Sequence, residues 1–289
     1  MKKQNAGKTF LIYTAIAIIS GIYSIILADD KKEIPDHTNL TDCQTCHAEK
    51  WKMWEASDHS KAINPVLKNE KASADCYGCH STEGFAAKLQ GNKVDIAKKD
   101  SFHTVSCLAC HDPRSSKLPQ KLVMDAGELC DSCHSQREVL KGQGAKGIED
   151  LRGMHSGVGC ASCHMTEGNH LMKVLRPDDP NLTEKRVDTC TACHKDNNRP
   201  ARAKQIQEWQ SEFKEKMDVL QADMNTISAA LKEKPNLLNA GLKKKFDDTR
   251  SNLSNLVREG SRGAHNFDYA LEIMALASKD LREIKAAAK

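Results

Sequence analysis

The residues of this 289-residue chain best able to do chemistry are its twelve cysteines and twelve histidines. Every cysteine falls in one repeated pentapeptide, Cys-x-x-Cys-His. The six copies are Cys43, Cys46 and His47; Cys76, Cys79 and His80; Cys107, Cys110 and His111; Cys130, Cys133 and His134; Cys160, Cys163 and His164; and Cys190, Cys193 and His194. This is the attachment signature of a c-type haem. Two thiols one helical turn apart bond the haem vinyl groups, and the adjacent histidine lies beneath the iron as proximal ligand. One such match could be half a zinc site. Six matches that consume every cysteine predict six covalently attached haem c groups and leave no thiol for a disulfide.

Six histidines stand outside the motifs: His37, His59, His103, His155, His170 and His265. That count matches one further ligand per iron. Histidine on both faces suits low-potential electron transfer, whereas a methionine ligand would raise the potential. The alternative for any one of them is a surface residue or a partner of a haem propionate. Between the first two motifs, Trp54 is spaced to pack on a porphyrin while His59 reaches an iron.

The elements that must position these residues are sparse. The motifs lie between Cys43 and His194, in a stretch rich in Lys, Asp, Gly and Pro. It is too short and polar to build much core from side chains, so the porphyrins themselves are the expected core. Removing them should unfold the region, as metal removal does in small metal-cored domains. Gly142 to Gly147 is expected to be a flexible turn, since it lacks the spacing of a phosphate loop. After Pro200 the pattern changes. Ile206, Trp209, Phe213, Met217, Leu220, Met224, Ile227 and Leu231 recur every three or four residues, as on a long amphipathic helix that Pro235 ends. Leu238, Leu242, Phe246, Leu253 and Leu256 mark a second helix stopping near Gly260. A third is expected from about Ala264, with Leu271, Met274 and Leu281. Met217 and Met224 read as core, not as haem ligands. These helices either brace the haem stack or form a homodimer interface.

The expected fold is therefore mainly α: a haem-cored cytochrome c region over residues 29–200, then a long-helix hairpin or bundle over 201–289. Residues 1–28 form a leader. Lys2, Lys3 and Lys8 precede an uncharged run from Thr9 to Ala28, and Asp29 and Asp30 follow. This is the polarity of an export signal, and the run is also long enough for an uncleaved membrane anchor. Either reading places the rest of the chain in the periplasm or on the outer face of the membrane, where haem c is attached.

The formal charge of +4 does not point to nucleic acid. Each ferric haem c contributes about −1 once its propionates are counted, so six bring the loaded protein to about −2. Lys and Arg are then expected to neutralise propionates and to dock redox partners.

Longer stretches carry a family resemblance. Cys43-Gln-Thr-Cys-His-Ala-Glu-Lys-Trp-Lys-Met-Trp-Glu-Ala-Ser-Asp-His59, followed by Asp75-Cys-Tyr-Gly-Cys-His80, resembles the opening of the tetrahaem cytochrome of ammonia-oxidising bacteria. His155-Ser-Gly-Val-Gly-Cys160-Ala-Ser-Cys-His164-Met-Thr-Glu-Gly-Asn-His170, with Cys190 to His194 beyond, is similar to the last two haem motifs of pentahaem nitrite reductases. Ala264-His265-Asn266 resembles a His-Asn element in the C-terminal helix of the same enzymes. All belong to the superfamily that also holds hydroxylamine oxidoreductase.

The resemblance implies crossed ligation. His59 would cap the fourth haem, at Cys130; His170 the third, at Cys107; His155 the sixth, at Cys190; and His265 the fifth, at Cys160. His37 and His103 are left for the first two. In the family the second position is often open to substrate, and nitrite reductases carry lysine in place of its histidine. Here that residue is His80, no arginine occurs before Arg114, and Cys130-Asp-Ser-Cys-His134-Ser-Gln-Arg lacks the family's tyrosine and calcium-binding context. Without those donors a nitrogen oxyanion has no preorganised site. The expected function is electron transfer along six haems, with other redox proteins or a quinol-linked membrane complex as partners and no catalytic residue assigned. The alternative is an oxidoreductase acting on nitrite, hydroxylamine or sulfite at the second haem.

Overall fold

The computed structural model describes residues 40–115, 117–180, 182–183, 187–195 and 198–288. The leader and His37 lie outside these residues. Among them the regular elements are helices, and the one β-type pairing is an isolated bridge between His111 and Leu122. Residues from Leu40 onward cluster as one unit.

The first part is a series of helices of four to eight residues, each too short to be stable alone. These are α1 (Leu40–Cys46), α2 (Ala48–Glu55), α3 (Asn64–Leu67), α4 (Ala74–His80), α5 (Thr82–Leu89), α6 (Cys107–Cys110), α7 (Ala126–Asp131), α8 (Gln136–Lys141) and α9 (Cys160–His164). Large buried apolar side chains are few here: Trp54, Ile63, Val66, Tyr77, Phe85, Val139 and Leu175. Buried polar residues sit among them, including Ser57, Ser81, Ser106, Thr166, Asn169, Asp188 and Thr189. Side chains alone do not make an ordinary core in this region.

The second part is different. Helix α10 (Arg199–Glu233) begins with Pro200 in its first turn, where a missing N–H costs nothing, and Asn198 caps it by accepting from the Ala201 amide. It ends just before Lys234 and Pro235. Helix α11 (Ala240–Glu259) is capped by Asn239 and closed by Gly260 in the left-handed conformation. Helix α12 (Phe267–Ala287) packs against both α10 and α11. Its buried positions, Tyr269, Ala270, Ile273, Met274, Ala277, Leu281 and Ile284, recur at the spacing of a helix touched on two sides. Phe213, Met217, Leu220, Met224 and Ile227 meet them from α10, and Phe246, Leu253 and Leu256 from α11. Burying each large side chain contributes about 1.5–3 kcal/mol, so this bundle carries the conventional core. Met217 and Met224 lie inside it.

Two expectations change. The third helix starts at Phe267, not Ala264, because the Asn266 side chain takes the cap position and accepts from the Tyr269 amide at 3.2 Å. His265 therefore stands on the turn before the helix. The Gly142 to Gly147 segment is not a loose turn. The Ala145 amide donates to the Tyr269 hydroxyl (2.8 Å), and the Asn252 side chain pairs with both the amide and carbonyl of Lys146 (2.9 Å each), so the segment is pinned to the bundle.

Candidate functional site

Each described motif forms about one helical turn. The amides of His47, His111, His134 and His194 donate to the carbonyls of Cys43, Cys107, Cys130 and Cys190 at 2.8–2.9 Å. In α4 and α9 the motif lies within the helix itself. The turn places both sulfurs on one side with the histidine following them, as thioether attachment requires.

The cysteines do not gather into direct metal sites. Among the described residues no group of three or more His, Cys, Asp or Glu side chains converges to hold an ion, and all twelve cysteines are unbridged. Burial, followed by the neighbouring Cys43 thiol, pushes Cys107 up to about 11. Burial also raises Cys110 to about 11, and Cys130 and Cys133 to about 12.

The same interactions show which motifs are neighbours. Cys43 lies beside Cys107, and Cys79 beside Cys133. Cys130 interacts with Cys110 and Cys160, and Cys163 with Cys193. The first motif thus adjoins the third and the second adjoins the fourth. From the third, neighbouring motifs run through the fourth and fifth to the sixth.

The structure brings together four of the six non-motif histidines with motif histidines. Ring centroids are 5.9 Å apart for His59 and His134, 6.3 Å for His111 and His170, 6.1 Å for His155 and His194, and 6.1 Å for His164 and His265. A metal–imidazole bond of about 2 Å, with the ring centre about 1 Å behind the nitrogen, sets two rings on opposite faces of one iron roughly 6 Å apart. Ordinary aromatic pairs can have that spacing too. Chance contact does not explain why every pair joins one motif histidine to one non-motif histidine. The donor set fits four bis-histidine irons.

The second ring nitrogens support the same reading. Nδ1 of His80 donates to the Ala62 carbonyl (2.6 Å), that of His111 to Gln120 (2.8 Å), that of His164 to Met172 (3.2 Å) and that of His170 to Gly168 (2.9 Å). A carbonyl only accepts, so Nδ1 carries the proton and Nε2 keeps its lone pair for a metal. Burial lowers the pKa of His59, His134, His164 and His170, which favours the same neutral form.

The remaining expectations fare differently. His103 is more than half exposed, and Glu83 grips it through both its ring Nδ1 (2.5 Å) and its backbone amide (2.7 Å). Among the described residues no histidine ring stands at pairing distance from His47 or His80. Trp54 is buried, donates its indole N–H to the Val105 carbonyl (2.9 Å) and lies 4.9 Å from the Trp51 ring. It ties α2 to the segment entering the third motif. Glu83, Glu259 and the carbonyl acceptors carry no sequence signal, because only the folded backbone brings them to their histidines.

Comparison with known proteins agrees with this construction. The family described as cytochrome c554 and c-prime matches residues 42–112, and a doubled CXXCH motif matches residues 100–139. Cytochrome c-554 of Nitrosomonas europaea is 26% identical over 143 residues, covering 36% of this chain and 60% of that protein. The outer cell wall cytochrome OcwA has a TM-score of 0.67 at 25% identity, over 80% of this chain and 50% of its own. Cytochrome c nitrite reductase (NrfA) from Desulfovibrio desulfuricans shares the fold, with a TM-score of 0.55 at 19% identity over 80% of this chain and 70% of the enzyme. The chain thus spans 60% of the curated relative and half of OcwA. With haem-attachment motifs throughout its first part and a fold shared with multihaem cytochromes, the chain is similar to the multihaem c-type cytochromes over most of its described length.

Proposed function

We propose that this chain is a hexahaem electron carrier of an exported or membrane-associated respiratory pathway. The observation that carries the reading is the set of four histidine pairs, each at the spacing of two ligands on one iron. Bound haem supplies one-electron chemistry at iron. The chain's part is to hold and orient it. The paired cysteines would fix each porphyrin at two points, and His47, His80, His111, His134, His164 and His194 would lie beneath the irons. His59, His155, His170 and His265 would close the opposite faces of the fourth, sixth, third and fifth sites, shutting out water and substrate.

Adjacent motifs give a path with one branch: first to third to fourth, the second joining at the fourth, then fifth and sixth. Electrons would be exchanged with other redox proteins or a quinol-linked membrane complex. An outer cell wall cytochrome and an undecahaem cytochrome from an S-layer share the fold, and among the described residues no helix is long and apolar enough to cross a membrane. Intact mass of the mature protein tests the count: six haem masses are expected, and fewer would overturn it.

One observation favours a second reading. His103 is held at the surface by Glu83; if His37, which lies outside the described residues, caps the first iron or neither, the outer face of the second would be left for a small nitrogen or sulfur compound. Titration of the oxidised protein with nitrite, hydroxylamine, sulfite and nitric oxide separates the readings. A carrier with six closed irons shows no spectral shift. A saturable shift with any of them makes the second haem a substrate site.

A further inference from the structure

The histidine pairs of the third and fifth sites differ in what their Nδ1 atoms meet. For His111, His164 and His170 the acceptor is a neutral main-chain carbonyl. At His170 that carbonyl, of Gly168, also accepts from the Lys50 ammonium at 2.7 Å, which draws electron density away from the imidazole. For His265 the group against Nδ1 is the carboxylate of Glu259, in an ion-pair contact.

Glu259 is an expensive residue to keep where it is. Its side chain is 2% exposed, and burying a carboxylate is costly unless its charge is answered. It is the last residue of α11, where the helix dipole opposes negative charge. Its Oε2 accepts from the Ser261 amide (3.2 Å) and hydroxyl (2.9 Å), and the Ser261 hydroxyl accepts from the His265 amide (3.1 Å). Glu259 Oε1 and His265 Nδ1 are both buried, make no hydrogen bond and meet in an ion-pair contact. The turn between them is built for this approach. Gly260 and Gly263 adopt left-handed φ values of 81° and 92°, and a Cβ on Gly263 would lie 2.7 Å from the Phe267 ring.

A carboxylate on Nδ1 pulls at the ring proton and makes Nε2 a stronger donor. A stronger donor stabilises iron(III) over iron(II), and the negative charge does the same by Coulomb attraction. Resting on the ligation of the fifth iron by His164 and His265 proposed above, we infer that Glu259 is a positioning residue that makes the fifth haem more negative than the third. The couple remains a simple one-electron exchange between iron(III) and iron(II). No bond forms or breaks, and the ring proton stays on Nδ1 in both states. The fifth site is then filled after the third and emptied before it.

Spectroelectrochemical titration of the full-length holoprotein tests this. In Glu259→Gln one component should move upward by about tenfold in its reduction equilibrium, or about 59 mV for a one-electron couple, while the others hold. Glu259→Asp keeps the charge and should stay near the native value. Native potentials throughout a fully loaded, low-spin E259Q protein would overturn the inference. If E259Q does not load haem, the native protein decides by near-infrared magnetic circular dichroism. One low-spin haem should show the shifted charge-transfer band of an imidazolate-like ligand, and indistinguishable bands would overturn the inference. A high-spin fifth iron in the native protein would instead defeat the ligation on which the inference rests.

Discussion

The ring of His155 stands perpendicular to that of His194, at 90°, whereas the rings of His111 and His170 lie within 22° of parallel. Parallel imidazoles donate into the same iron d orbital and split the pair of π orbitals, while perpendicular ones donate into both and leave them nearly equal. Low-temperature paramagnetic resonance of the oxidised protein should therefore show at least two low-spin classes. The third site is expected to be rhombic, and the sixth strongly axial with a larger maximum g value. His170→Ala should remove the rhombic class and add a high-spin signal, leaving the axial class in place.

Asp188 is fully buried beside the sixth motif, where Thr191 donates to it from both hydroxyl (2.7 Å) and amide (3.0 Å) and Arg199 approaches at 3.3 Å. Burial alone would raise its carboxyl. The Thr191 hydrogen bonds and the Arg202 and Arg199 charges outweigh burial and hold it below the ordinary value. A depressed folded pKa contributes stability that is complete above the unfolded value, about 3.9, and is lost as pH falls through the folded one. Circular dichroism should show acid unfolding setting in below about pH 4, with a shallower pH dependence in Asp188→Asn. Asp188→Ala leaves the arginines unanswered and should cost about 3–5 kcal/mol at neutral pH.

Gly142 closes α8 with φ at +70°, and a Cβ there would sit 1.7 Å from the Leu151 carbonyl oxygen. That oxygen also accepts from Asn266, next to His265, at 2.8 Å. Gly142→Ala should cost at least about 1–3 kcal/mol in backbone strain, and the clash should disturb the fifth site before the others. Denaturant titration gives the first quantity. Resonance signals that change for one haem class check the second.

Leu281 is completely buried at the centre of the bundle. Leu281→Ala should cost about 2–5 kcal/mol, read as a lower urea midpoint for the helical signal. Haem mass should not change, because the thioethers are remote and covalent.

How much of this was legible in the sequence depends on the range of the forces involved. The motifs, the apolar stripe of α10 and the stops at Pro235 and Gly260 are local patterns, and the structure follows them closely. His265 was legible as a residue, but its place before α12 depends on Asn266 competing for the cap. The Gly142 to Gly147 segment reads as loose because its restraints, Asn252 and Tyr269, come from α11 and α12. The pairing of distant histidines followed from family resemblance, since no periodicity connects His59 with His134. Glu83 and Glu259 were invisible because a carboxylate beside a histidine in space leaves no mark in sequence spacing.

The crossed pairs also set a timetable. A chain leaving the ribosome presents His164 long before His265, and His59 long before His134. Closing such loops adds entropy cost only slowly with length, but non-local contacts make folding slow. An exported chain with haem attached but not yet folded would therefore wait with irons ligated on one side only, open to thiols, oxygen and stray ligands. On the proposed ligation, the three C-terminal helices, which fold from local contacts, would end that exposure at the fifth site by bringing His265 into position. Completion of the last helices would in this sense be the maturation step of the haem region, although no haem motif lies on them.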